Sequence, residues 1–179
     1  MLAALKKRDE NIAEYILYLY HVEDLIRAFN LDIDMIREKL TPTYRSDDVT
    51  ADKISDWYNN LILMMEKEGK KEKGHVRFLL NLITDLNELH LKLIETGFDK
   101  KYSSIFNTVS GFLAELKRKN PEADSDVRIA LDGIYGYLML KVRKKSINSS
   151  TKEAIKSLSH WLSYLSFYYR DFENGKLKI

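Results

Sequence analysis

The chain has 179 residues, 45% of them hydrophobic and 31% charged, and it contains no cysteine. Such a chain can bury roughly 70% of its unfolded surface around one core, which excludes intrinsic disorder and a disulfide scaffold. Without cysteine there is no thiol nucleophile, thiolate zinc site or iron–sulfur cluster. With 29 Lys/Arg against 27 Asp/Glu the net charge is +2, far from the basicity of a protein organised around nucleic acid.

The apolar stretch from Ile12 to Phe29 is long enough to suggest a signal peptide or membrane span. Glu14, His21, Glu23, Asp24 and Arg27 interrupt it, and each charge at a bilayer centre costs about 2.5–3.5 kcal/mol. No small-residue cleavage pattern follows. The expectation is a soluble, cytoplasmic protein with no membrane partner.

Helical periodicity runs along the whole chain. A first helix is predicted over residues 11–30, with Ile12, Tyr15, Leu19, Val22, Ile26 and Phe29 on one stripe. A short second helix, residues 32–40, carries Ile33, Ile36 and Leu40 and stops before Pro42, followed by a polar loop over 43–49. Thr50 is placed to cap a third helix with Ile54, Trp57, Leu61 and Met64/Met65 inward, closed by Gly69. A fourth runs from near Gly74 to Gly97 through Leu79, Ile83, Leu86 and Leu93, and a fifth from Tyr102 through Val109 to Leu116 ends before Pro121. Ser125 can cap a sixth with Val127, Leu131, Ile134 and Leu138. The seventh opens with Ser150-Thr151-Lys152-Glu153, read as a capping box, and continues through Ile155, Leu158, Leu162, Leu165 and Tyr169. No linker or repeat divides the chain, so residues 1–179 read as a single all-α domain, a helical bundle of about six or seven helices.

Charge is uneven. Residues 1–90 hold 13 Lys/Arg against 17 Asp/Glu; residues 91–179 hold 16 against 10. The basic excess falls at helix C-termini, Lys117-Arg118-Lys119 and Lys141 to Lys145, where cations complement the helix dipole. A phosphate-binding patch is the alternative, and the small net charge argues against nucleic acid.

No strong catalytic signature is present, so whether the protein is an enzyme stays open. A di-iron bundle needs paired Glu-x-x-His motifs, and only Glu72 to His75 has that spacing. No metal site or cofactor is therefore expected. Gly133-x-x-Gly136 lies inside a helix rather than after a strand, and no Gly-x-Ser-x-Gly elbow occurs.

Three weaker constellations remain. On the first helix Glu14, Tyr18, His21 and Leu25 fall within about 60° of one another, with Asp24 beside His21. Acids near a histidine can bind a metal or run acid–base chemistry, but Leu17 shares that face, and the favoured reading is a helix contacted on all sides with its polar groups paired to neighbours. Glu23 and Arg27 form an i,i+4 pair expected to neutralise itself if buried. On the fourth helix His75 and His90 share the stripe of Leu79 and Leu93, either as core histidines or as a ligand or general base. On the last helix Trp161, Tyr164, Phe167, Tyr168, Tyr169 and Phe172 surround the axis, so some belong to the core and others to an interface.

Three blocks carry a resemblance: Asn11 to Tyr18 leading into Val22-Glu23-Asp24-Leu25-Ile26-Arg27; Met64-Met65 with Glu68-Gly69 and Gly74-His75; and Leu89-His90 and Leu131 with Tyr135-Gly136. Their order and spacing resemble an uncharacterised bacterial, all-helical family catalogued as a domain of unknown function. The resemblance implies a cytoplasmic helical protein and brings no activity, ligand or catalytic residue.

Two functions compete. The leading one is a non-enzymatic module that forms a homodimer or binds a protein partner through Trp161, Tyr164 and Tyr168. The other is a small-molecule-binding protein or enzyme with a pocket among Glu14, Tyr18, His21, Asp24, His75 and His90. A nucleic-acid binder using the basic C-terminal half ranks last.

Overall fold

A computed structural model describes residues 7–40 and 48–179, leaving aside the side chains of residues 40 and 48–51. Among these residues there are no strands. Residues 7–10 are helical and are followed by seven helices: α1 (Ile12–Ala28), α2 (Ile33–Leu40), α3 (Asp48–Lys67), α4 (Arg77–Glu95), α5 (Lys100–Lys119), α6 (Asp126–Val142) and α7 (Ser149–Glu173).

The ends are set by local chemistry. Asn11 caps α1 by accepting from the Glu14 N–H at 3.2 Å, and Asp32 caps α2 by accepting from Asp34 and Met35 at 2.9 and 3.1 Å. Asp99 and Ser125 do the same for α5 and α6. Gly69, at φ +67°, ends α3 in a left-handed turn that brings the Lys70 N–H onto the Met65 carbonyl, the usual way a glycine closes a helix.

Three boundaries differ from expectation. Helix α7 begins before Ser150: Asn148 Oδ1 takes the Thr151 N–H at 2.8 Å, so Asn148, not Ser150, is the cap. Helix α3 begins at Asp48, so Asp48 and Val49 are helical; the rest of the expected loop and the capping role of Thr50 fall outside the described residues and side chains. Helix α4 starts at Arg77 rather than near Gly74, which puts His75 in the preceding turn.

One apolar cluster draws on all seven helices, among them Ile16 and Leu19 of α1, Ile36 of α2, Met65 of α3, Leu79 and Leu86 of α4, Val109 of α5, Leu131 of α6 and Leu158 of α7. Helix α7 is central, packing along α5, α6, α1 and α4. Helix α6 also lies against α1, α4 and α5. At α5–α6 the approach is close enough that a Cβ on Gly133 would lie 2.8 Å from Leu116 Cδ1. No helix among the described residues is long and apolar enough to cross a membrane.

Candidate functional site

Helix α1 buries Ile12, Ile16, Leu19, Glu23 and Ile26 along one face. Glu23 thus occupies a core register and is completely inaccessible. A carboxylate there must be satisfied. Its Oε1 accepts from the Val76 N–H at 2.9 Å and its Oε2 meets His75 Nδ1 at 2.5 Å. Val76, the residue capping α4, has no side-chain oxygen to offer, so Glu23 supplies the missing acceptor from another helix.

The rest of the site grows from this contact. The Tyr20 ring, one turn before Glu23, stacks on the His75 imidazole with centroids 3.6 Å apart and planes 8° from parallel. Tyr135 of α6 meets Tyr20 edge-on at 5.5 Å, and its hydroxyl donates to Asp24 Oδ2 at 2.6 Å. Arg27 donates from Nη1 to Asp24 at 2.8 Å, from Nε to the Lys70 carbonyl at 3.2 Å and from Nη2 to the Gly74 carbonyl. Arg27 therefore pins the turn that carries His75. The expected Glu23–Arg27 pair does not form: Glu23 goes to His75 and Val76, and Arg27 to Asp24 and the two carbonyls.

Asp132 of α6 completes the cluster. Asn120 donates to its Oδ2 at 3.0 Å, while the Arg128 Nε stands off at 3.9 Å. Burial raises the Asp132 carboxyl above the usual carboxylate range, against the pull of Arg128 and of His75. The buried Tyr20 hydroxyl completes no hydrogen bond of good geometry, although Asp132 lies near enough to act on it. Burial first, and the Asp132 charge second, push the ionisation of Tyr20 far up. The Tyr135 hydroxyl is raised as well, by burial and then by its bond to Asp24.

Of the sequence candidates, Asp24 and His75 come together here. The others do not. Glu14 is exposed and pairs with Lys7 at 2.9 Å, His21 faces outward, and Tyr18 is half-buried against the core. His90 sits elsewhere, 1% exposed: its Nδ1 is 2.7 Å from the Tyr102 hydroxyl, which accepts from Trp161 Nε1 at 3.1 Å. To satisfy its own hydrogen the hydroxyl donates to His90 Nδ1, which leaves the His90 proton on Nε2, 3.8 Å from Asp126. His90 is a core histidine with both nitrogens directed at neighbours.

The expected interface is also redrawn. Trp161 is fully buried and cannot meet a partner. Tyr164 and Tyr168 are half-buried, both hydroxyls donating to Asp99 Oδ2, at 3.2 and 2.7 Å. Phe98 and Phe167 stand beside Tyr168, 49% and 46% exposed.

Chemically, the cluster offers an imidazole whose Nδ1 is anchored by a buried carboxylate and whose ring is clamped by Tyr20. Among the described residues no partner lies at Nε2, and 18% of the side chain remains exposed. This is the arrangement by which a histidine is held as a hydrogen-bonding group or proton acceptor toward a ligand. No group of three or more His, Asp or Glu among the described residues could hold a metal ion. Tyr20, Glu23, Asp132 and Tyr135 were not singled out by the sequence as site residues. The available signal was Glu23, a charge in register with Ile12, Ile16, Leu19 and Ile26.

The model of a family described as "Domain of unknown function (DUF4924)" matches residues 1–176. No curated protein and no solved structure matches the chain.

Proposed function

The chain belongs to that family of unknown function, and from its own geometry we propose that it is a cytoplasmic small-molecule-binding protein whose ligand contacts His75. The observation that carries this is the pairing of an inaccessible Glu23 with a part-exposed His75 at 2.5 Å. Placing a carboxylate in a core costs several kcal/mol unless it is fully satisfied, and here it fixes the orientation of a ring that reaches solvent. Tyr20 stacks on that ring, and Tyr135 packs edge-on against Tyr20.

The test is a thermal-shift screen of a metabolite library against the wild-type chain and His75→Asn. At least one compound is expected to stabilise the wild type and lose its effect in His75→Asn. A library whose hits act equally on both would overturn the reading.

A second reading, self-association, is favoured by Phe98 and Phe167, both about half exposed on either side of Tyr168. Sedimentation of the wild type and of the double variant Phe98→Ser/Phe167→Ser tests it. A dimer that dissociates in the variant supports it, and a wild-type monomer at high concentration refutes it.

A further inference from the structure

We infer that the C-terminal end of α6 and the turn after it form a docking surface for a bilayer that carries anionic phospholipid. The starting observation is a core stripe that outruns the core. At 100° per residue Val127, Leu131, Ile134, Leu138 and Val142 fall within about 80° of one another along α6. The first three are buried, but Leu138 is 37% and Val142 70% exposed. Leu140, on the opposite side of the helix, is 42% exposed, and every residue from 140 to 146 is exposed. The end of α6 thus stands clear of the bundle and carries aliphatic side chains into solvent, which its own packing does not require.

Charge decides what covers it. Between residues 133 and 152 the sequence holds Lys141, Arg143, Lys144, Lys145 and Lys152, and no Asp or Glu. Among the described residues none of these five pairs with a carboxylate; Lys141 lies instead over the Tyr137 ring at 5.7 Å. Acids on neighbouring elements are matched already. Asp24, bonded to Tyr135, has Arg27, and Glu115, in a groove with Ser150 and Thr151, has Lys119. Asp132, with Arg128 at 3.9 Å, lies about 13 Å back along the helix from Lys141, and Glu153 stands between Lys152 and Lys156. The turn is itself built around a cation. The Lys145 N–H closes α6 onto the Leu140 carbonyl with Lys144 left-handed at φ +53°. The same closure uses Gly69 after α3 and Gly175 after α7, so α6 places a positive charge where glycine is unstrained.

The occupant is therefore anionic and has an apolar layer. A second copy meeting this patch face to face would set its cations against their like. Single-stranded nucleic acid needs rings to stack on, and Tyr137, the only ring between residues 136 and 148, is half-buried under Lys141. An acidic peptide needs a groove, whereas this is a projecting helix end. An anionic bilayer attracts clustered Lys and Arg and takes aliphatic side chains at the headgroup boundary. Such docking needs no spanning helix, and it revises the expectation of no membrane partner.

The experiment is co-sedimentation of the full chain with vesicles of phosphatidylcholine alone and of three parts phosphatidylcholine to one part phosphatidylglycerol. Binding to the mixed vesicles only is expected. Arg143→Gln/Lys144→Gly/Lys145→Gln removes three cations, each worth about fivefold at an anionic surface, and should weaken binding about a hundredfold. Lys144→Gly relieves the left-handed residue and the other two positions are exposed, so circular dichroism should show the fold intact. Val142→Ser should weaken binding about fivefold, and His75→Asn should bind as the wild type does, which keeps this surface separate from the ligand site. No binding to either vesicle, equal binding to both, or a Val142→Ser variant that binds undiminished overturns the inference. So does an oligonucleotide or acidic polypeptide held through the same cations by a chain that ignores the vesicles, or a dimer that Val142→Ser dissociates.

Discussion

Replacing Glu23 by Gln and by Ala separates its two bonds. The Val76 N–H is a fixed donor, so in Glu23→Gln it keeps the amide oxygen and turns the amide NH2 toward His75 Nδ1. Nδ1 must then accept, and the ring proton moves to Nε2. A bond to a charged group, worth about 1.5–3 kcal/mol, becomes a neutral one worth about 0.5–1.5, so the loss is about 1–2 kcal/mol. Glu23→Ala removes both acceptors, orphans the N–H of Val76, a residue that is fully buried, and leaves a cavity. Its loss is about 2–4 kcal/mol. At roughly 2–4 °C per kcal/mol for a chain of this size, urea and thermal unfolding resolve the two variants. Imidazole nitrogen shifts report the state of Nδ1: it carries a proton in the wild type and accepts a hydrogen bond in Glu23→Gln. A Gln variant that keeps the proton on Nδ1, or an Ala variant that loses less than about 0.5 kcal/mol, would refute the account of Glu23 as cap and anchor.

Other outcomes follow from single features. Tyr102→Phe strands Trp161 Nε1 and His90 Nδ1 in the core and should cost about 2–4 kcal/mol by urea denaturation; a near-neutral result would mean the three groups re-pair. The Asp132 carboxyl is raised in the fold, so the folded state binds its proton more tightly than the unfolded chain and stability falls as pH rises from about 4. Asp132→Asn should flatten the stability–pH curve above that point, and an unchanged slope would contradict the burial argument. Gly111 lies within α5, and a methyl group added to its Cα would meet open space, so Gly111→Ala should raise stability by about 0.5–1 kcal/mol in the same assay. Loss of stability there would contradict the open space beside Gly111.

The helices were legible because each carries 3–4 spacing of apolar residues, and several add a polar cap in front or a glycine or proline behind. Asn11, Ser125 and Gly69 act as their sequence context requires. The cap of α7 was placed at Ser150 because the capping-box pattern starts there, but Asn148 can accept as well and takes the Thr151 N–H. The site was legible only in part. A helical wheel places His75 and His90 on one side but collapses the axis: 15 residues of helix span about 22 Å, and His75 precedes α4 altogether. Glu23 and His75 are 52 residues apart, and Asp24 and Tyr135 are 111 apart. No periodicity encodes such pairings, because they depend on which helices become neighbours and at what height. The local trace was the misfit, a carboxylate in the core register of α1, whose obvious partner along the chain was the cation one turn later, Arg27. The fold instead sends Arg27 to two backbone carbonyls of the turn before α4.

That choice explains why one histidine serves the core and the other reaches the surface. The first N–H groups of α4 have no cap of their own, since Val76 stands at the cap. Glu23 takes the Val76 N–H and Glu68 takes the Arg77 N–H at 2.6 Å, while Arg27 binds the carbonyls of Lys70 and Gly74. The turn is thus held by side chains from α1 and from the end of α3, and His75 rides on it with one nitrogen already engaged. His90, enclosed by Tyr102, Phe106 and Trp161, has neither an opening nor a free lone pair. The two residues are chemically identical, and the 18% exposure of His75 against 1% for His90 decides which of them can exchange a proton or a hydrogen bond with anything outside the bundle. Loosening the turn should therefore disturb the site without touching it: Arg27→Ala frees two carbonyls and Asp24, and ligand binding at His75 should weaken even though Arg27 is not a ligand contact.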